Sequence, residues 1–244
     1  MSRWKASGIH LLLSAAIAGT LIAFMLIVWY PWPLFEAAGG SRLIFILAAV
    51  DVTLGPLITL IIYKTGKPGL KFDLVFIAVT QLGALAYGIH IVYLARPVYM
   101  VFTVDRFELV TAKDIDPMDL GEVKRRQFRQ LPIGQPRFIG VERPTDNETW
   151  MKIAESALRG KDLQLYPQYY GDYSTQAGEA LKHARKLDVL RQRDTATVEQ
   201  YLASSGRSDE TVRFVPLRAR MRDAAVLLDA DTGMPLKMLL IDPW

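Results

Sequence analysis

The chain has no cysteine among its 244 residues, which excludes disulfides, thiolate metal ligands and a thiol nucleophile together. Histidine is nearly as scarce, with His10, His90 and His183 the full set. Two of the three fall in strongly apolar stretches, so a histidine-built zinc site is excluded from the polar remainder and His183 alone is left there as a general base. Gly-x-Ser-x-Gly, the P-loop and Gly-x-Gly-x-x-Gly are all missing, which removes common signatures of hydrolases and of nucleotide binding. Asp223, Asp229 and Asp231 lack the spacing of a calcium loop and suit a hairpin turn. No catalytic, cofactor-binding or metal-ligating residue is assigned, and neither a cofactor nor a small-molecule substrate is expected.

Charge is the next thing scarce, and three runs at 10–30, 43–63 and 74–95 are almost free of it. Each is long enough to cross a hydrocarbon core of roughly 30 Å at about 1.5 Å per residue. Buried helices of a soluble bundle would carry a polar stripe every three or four residues, and these runs do not. The first is longer than the apolar core of a cleavable signal peptide, and its Ala16-Ile17-Ala18 lies inside the run, so it reads as an uncleaved anchor. The sequence therefore predicts a three-helix transmembrane domain over 1–96 and a second domain over 97–244.

The formal net charge of +4 is a topology signal and not a nucleic-acid footprint. Residues 1–96 hold seven Lys and Arg against three Asp and Glu, whereas the rest of the chain is balanced. Arg3 and Lys5 precede the first run, and Lys64, Lys67 and Lys71 fill the second connection, so the positive-inside bias puts both on the cytoplasmic side and the second domain outside. Trp29, Tyr30 and Trp32 fall where an interfacial aromatic belt is expected on the outer face.

The outer domain reads as α+β with helices on an antiparallel sheet. β-Branched and aromatic residues over 98–110 predict one strand, or two with a break near Asp105 and Arg106, and 137–142 predicts another. Helices are expected over 145–158, 174–190 and 195–203, the last stopping at Gly206. Strands are expected over 212–217, 224–229 and 236–241, the last two joined by a tight Asp-Thr-Gly hairpin. No flexible linker follows Arg96, so the domain should start at the membrane surface.

Asp51 is the most informative polar residue. A carboxylate about eight residues into a span costs about 2.5 to 3.5 kcal/mol on insertion scales, so it needs a partner. His90 sits at comparable depth in the third run, and an Asp51–His90 pair holding the bundle together, contact with a partner helix, and ion transport are the readings it allows. Gly55 and Pro56 would let helices approach closely or kink, while His10 and Gln81 read as packing or interface residues. Outside the membrane, Tyr166, Tyr169, Tyr170 and Tyr173 in a Gly- and Pro-containing loop fit either an interface or the domain's own core. Lys124, Arg125, Arg126 and Arg129 beside Phe128 fit either a solvated helix face or contact with lipid headgroups or an acidic partner.

The segments VDVTLGPLITLII (50–62), ARPVYMVFTVDRFELV (95–110) and DTGMPLKMLLIDPW (231–244) resemble the type IV pilin accessory proteins of the TfpX/TfpZ type. The resemblance implies a non-enzymatic factor, or pilin-specific chaperone, in the bacterial inner membrane, assisting type IV pilin stability, assembly or surface display. Its implied partners are the transmembrane helix and periplasmic head of the pilin, together with membrane lipid. Small residues Gly55, Gly83, Ala84 and Gly88 would receive the pilin helix, and the periplasmic domain would hold the head. The alternative is a membrane-anchored sensor whose periplasmic domain binds a ligand, although few residues would face the cytoplasm to signal.

Overall fold

The computed structural model describes residues 1–244, the side chains of Arg42, Leu43, Ile46, Leu47, Ala48, Val50 and Asp51 apart. Helix α1 (Arg3–Phe24) is extended by a π-turn, Met25–Trp29, and its entry is capped by the Ser2 hydroxyl accepting from the Lys5 N–H. A connection with one short helix, α2 (Leu34–Ala37), leads to α3 (Gly40–Ala49), a π-turn Val50–Leu54 and α4 (Gly55–Ile62), which follow one another without a gap. The π-turn ends two residues before Pro56, whose missing N–H and bulky ring disturb the preceding helical turn. Helix α5 (Leu70–Ala95) completes this half.

Two of these helices, Arg3–Trp29 and Leu70–Ala95, are long and apolar enough to cross a membrane. Many of their apolar side chains, Leu12, Ile27, Phe72 and Val79 among them, are exposed, a surface suited to anchoring in a membrane. Among the described residues the apolar helix between them is the shorter Val52–Ile62.

The second half is a seven-stranded sheet with strand order β4-β3-β1-β2-β5-β6-β7. Its strands are β1 (Pro97–Thr103), β2 (Arg106–Thr111), β3 (Arg137–Val141), β4 (Tyr170–Asp172), β5 (Val212–Arg218), β6 (Ala224–Asp229) and β7 (Pro235–Leu239). The break near Asp105 makes a β1–β2 hairpin at the centre, and β1 starts directly after Arg96. The sheet is mixed, which corrects the expected antiparallel one: β1 pairs β3 in parallel, and β2 pairs β5 in parallel. The alternation of apolar residues reports which faces are buried and is silent on strand direction. Long crossovers after β2 and β4 bring the chain back to either side of the central hairpin.

Alternation along the strands assigns side chains to three cores. Met100, Phe102, Phe107, Val215, Val226 and Met238 lie on one face, with α8 (Ala177–His183) against them. On the other face Tyr99, Val101 and Ile139 pack with Ile153 of α7 (Asn147–Ala157), and Phe214 and Leu227 pack with α9 (Asp188–Arg193) and α10 (Thr195–Ser205). Burial on both faces explains the nearly unbroken apolar run of β1. One further short helix, α6 (Pro117–Gly121), lies in the β2–β3 crossover.

The single helix expected over 174–190 is corrected to two. Arg185, between α8 and α9, exchanges both backbone hydrogen bonds with Phe214 of β5, at 2.8 and 2.9 Å. That long-range pairing outcompetes helical continuation, and no local pattern announces it. The basic stretch 124–129 also departs from a helix face: its centre is a 3₁₀ turn, Arg126–Phe128, with Phe128 buried.

The β6–β7 hairpin follows its sequence. Gly233 adopts φ +71°, and a Cβ there would lie 2.4 Å from the Ala177 carbonyl. Asp229 Oδ1 accepts from the N–H groups of Asp231 and Thr232 and from the Thr232 hydroxyl, while Oδ2 accepts from Arg207 at 2.8 Å. Arg207 first, and then these donors, hold the Asp229 carboxyl well below the usual carboxylate range. A carboxyl depressed in the folded state contributes stability that is present above its unfolded pKa and lost as pH falls toward the folded one. Asp229→Asn is expected to lower the unfolding midpoint at neutral pH and to reduce the loss on acidification below about pH 4, as measured by thermal unfolding of the detergent-solubilised protein at stepped pH.

Candidate functional site: a polar seam among the helices and a collar above it

Helix α4 packs against both α1 and α5, and polar groups mark each contact. The Ser7 hydroxyl donates to the Pro56 carbonyl at 2.8 Å, and His10 Nδ1 lies 2.7 Å from Thr59 Oγ1. Both bonds join α1 to α4, and Thr59 is buried. On the other side a Cβ added at Gly55 would fall 1.8 Å from Gln81 Nε2, so glycine is what lets the Gln81 side chain rest on α4. Gly55 and Pro56 therefore act as the close-approach pair expected of them. Between α1 and α5 an open cleft of about 190 Å³ remains, lined by His10, Ser14, Ala78 and Gln81 together with leucines of both helices.

The other membrane candidates do not gather at this seam. Gly83 has no heavy atom within 4 Å of a Cβ placed on it, Gly88 is half-buried and His90 is exposed. The Asp51 side chain lies outside the described residues, so the Asp51–His90 pair does too.

A collar of aromatic and basic residues closes the helices against the sheet. Trp29 Nε1 donates to the Ile133 carbonyl at 2.9 Å, and Gln135 Nε2 donates to Ile27 O at 3.4 Å, so loop 131–135 lies beside the end of α1. The Tyr30 hydroxyl donates to Val92 O at 3.3 Å. Arg96, only 2% exposed, sits with its guanidinium carbon 3.7 Å from the Tyr93 ring centroid. It donates to Tyr93 O at 2.6 Å and through Nε and Nη2 to Pro132 O at 3.4 and 3.3 Å. In the connection, Leu34 enters the sheet core, and Ala37 O accepts from the Met221 and Arg222 N–H groups at 3.1 and 3.3 Å. Sequence reading placed Trp29 and Tyr30 in an interfacial belt but missed their bonds, because these join residues more than sixty positions apart.

Beside the collar a groove of about 730 Å³ runs between the 31–34 connection, α10 and the edge strand β7. Trp32, Phe138, Tyr201, Leu236 and Met238 line it, with Lys237 contributing charge. Arg191 keeps its α10 wall in place by pairing with Asp188, Glu199 and Asp209 at 3.3, 2.7 and 2.9 Å.

Two of the tyrosine candidates belong to the core. Tyr170, on β4, is 1% exposed and stacks edge-on against Tyr99 and Phe128, while Tyr173 donates to Gly233 O at 2.7 Å from inside the first core. Tyr166 and Tyr169 are half-buried at the domain surface, with the Tyr166 hydroxyl 2.7 Å from Ser156 Oγ. The basic cluster is likewise partly structural: Arg125 pairs with Glu142 and donates to Tyr170 O, and Arg129 donates to the Val123 and Lys124 carbonyls. Among the described residues no group of histidines and carboxylates is placed to hold a metal ion.

Comparison with known proteins bears on this arrangement as a whole. The chain is 33% identical over 241 residues to a fimbrial assembly protein, serogroup I, of Dichelobacter nodosus, covering 94% of this chain and 92% of that protein. The chain belongs to the fimbrial assembly protein family. The serogroup E1 protein of the same organism is 32% identical over the same extent, and the protein of serogroups C1 and C2 is 40% identical over 114 residues, 46% of this chain and 86% of its own length. The family model described as fimbrial assembly protein FimB matches residues 1–39, which hold α1 and the connection of the collar. No solved structure matches the chain. As a family member the protein has a role in fimbrial biogenesis.

The collar is where this fimbrial assembly protein should be most sensitive. Arg96→Ala removes the guanidinium from Tyr93 and leaves the Pro132 carbonyl without its donor, a loss of about 1.5 to 3 kcal/mol for a charged hydrogen-bonding group. The expected outcome is a lower unfolding midpoint in detergent together with faster proteolytic cleavage within 131–135, and Arg96→Lys should recover only part of it because a single ammonium cannot replace the fork.

Proposed function

We propose that the protein is a non-enzymatic accessory factor of the TfpX/TfpZ type, a pilin-specific chaperone that assists type IV pilin stability, assembly or surface display. On this reading it resides in the bacterial inner membrane with three spans, the middle one formed by α3 and α4. Arg3, Lys5 and the lysines of the second connection face the cytoplasm, and the sheet domain stands in the periplasm. The observation that carries the proposal is the collar, joined to the similarity to fimbrial assembly proteins along nearly the whole chain. A subunit waiting in the membrane with an apolar helix and an outer head needs a partner that engages both parts at a fixed height. Here the helices and the sheet domain are bonded together at their junction, with a membrane cleft on one side and the Trp32 groove on the other.

The groove is the proposed contact for the pilin head. Its lining is mostly apolar with aromatic residues, the composition from which specific contacts draw most of their energy. Photocrosslinking probes at Leu82 of α5 and at Gln200 of α10, in cells making the cognate pilin, test the reading directly. Crosslinks to pilin from both positions are the expected outcome. Capture of other envelope proteins alone, or of nothing, overturns it.

A further inference from the structure

The cleft between α1 and α5 is unusual for a lipid-facing surface because its middle is polar. His10 and Ser14 lie one turn apart on α1, with Ile17 a further turn along, and Ala78, Gln81 and Leu85 form the opposing stripe on α5. Lipid tails offer a hydrogen-bonding group nothing, so polar side chains facing them at span depth are costly and are retained where something meets them. We propose that this cleft receives a carboxyl side chain carried by the transmembrane helix of a partner, with His10, Ser14 and Gln81 as its donors.

The chemistry of the lining selects the occupant. His10 Nδ1 is engaged by Thr59 Oγ1 at 2.7 Å. Where the Thr59 hydroxyl donates to Nδ1, Nε2 carries the ring proton and is a donor toward the cleft. The Ser14 hydroxyl and the Gln81 carboxamide can each donate as well as accept, so an acceptor-rich group can be met there. Net charge points the same way. Arg3 and Lys5 lie toward the start of α1 from His10, and the Thr65 hydroxyl donates to Met1 O at 2.8 Å, which brings Lys64 to the same end, where Lys67 is answered by Asp73 at 2.6 Å. A carboxyl at this depth is drawn toward that basic end, and an ammonium is repelled.

Size fits as well. About 190 Å³ is several times the roughly 30 Å³ share of one water, room for one long side chain and not for a helix. The partner's backbone would therefore stay outside the cleft, on a rim where Ala78 is small. The inference rests on the chaperone reading only for the identity of that partner, the pilin helix.

The test uses full-length protein in liposomes and single-span Leu–Ala peptides carrying Glu, Lys or Leu at the depth of Ser14, with association read by energy transfer. The Glu peptide is expected to associate about tenfold more tightly than the Leu peptide, the scale of interhelical hydrogen bonds in lipid, and the Lys peptide no more tightly than Leu. Ser14→Leu, which fills the cleft, and Gln81→Leu, which removes a donor, are expected to erase the Glu preference. Equal association of Glu and Leu peptides with the unaltered protein overturns the proposal, and so does a preference that survives both substitutions. A Glu preference with no pilin crosslink in cells supports the cleft and overturns the identity of the client instead.

Discussion

Arg96 is the point on which the two halves of the molecule turn. It is a charged side chain almost wholly removed from solvent at the last residue before the sheet, and such a group is tolerated only where its charge and its donors are answered. The Tyr93 ring and carbonyl answer from α5, and Pro132 answers from a loop that belongs to the sheet domain. The guanidinium thereby fixes the angle at which the chain leaves α5 and enters β1. A lysine offers a point charge in place of that planar fork and could not address both elements with the same geometry.

The rest of the junction depends on that angle. Once β1 leaves α5 in a set direction, loop 131–135 is held against α1, where Trp29 and Gln135 can bond across, and the 31–39 connection can send Leu34 into the sheet core. Each of these contacts closes a long loop, and each is cheaper once another has formed. The helical and sheet parts thus reinforce one another, which the proposed hold on a client at two heights would require.

What the sequence made legible follows from the range of the forces involved. The apolar runs, the β1–β2 break at Asp105, the Asn147–Ala157 and Thr195–Ser205 helices and the Asp-Thr-Gly hairpin were readable because caps, turns and periodicity are local. Parallel pairing of β1 with β3, the interruption at Arg185 and the burial of Tyr170 were not, because each is decided by a strand far away in the chain. The site divides in the same way. Gly55 and Pro56 announce a close helix approach from composition alone, whereas Gln81 gains its meaning only when α5 lays it on Gly55, and His10 only when α1 sets it against Thr59.

That last contrast bears on how a client is distinguished from the many other single-span proteins of a membrane. Apolar contact in lipid discriminates poorly, since lipid tails compete on nearly equal terms with any leucine. A polar notch discriminates by penalty as well as by gain. A helix without an acceptor leaves the donors of the cleft unanswered, and one with a cation meets the basic end of the bundle. The groove beside the collar, with aromatic walls and a strand edge, would on the same reading serve the complementary task of reading a folded head. Specificity in such a two-site arrangement does not require either contact to be strong. On the proposed reading the collar fixes the distance between the two contacts, so the second engagement would be intramolecular, and its effective concentration would rise only for a partner whose helix and head match that spacing.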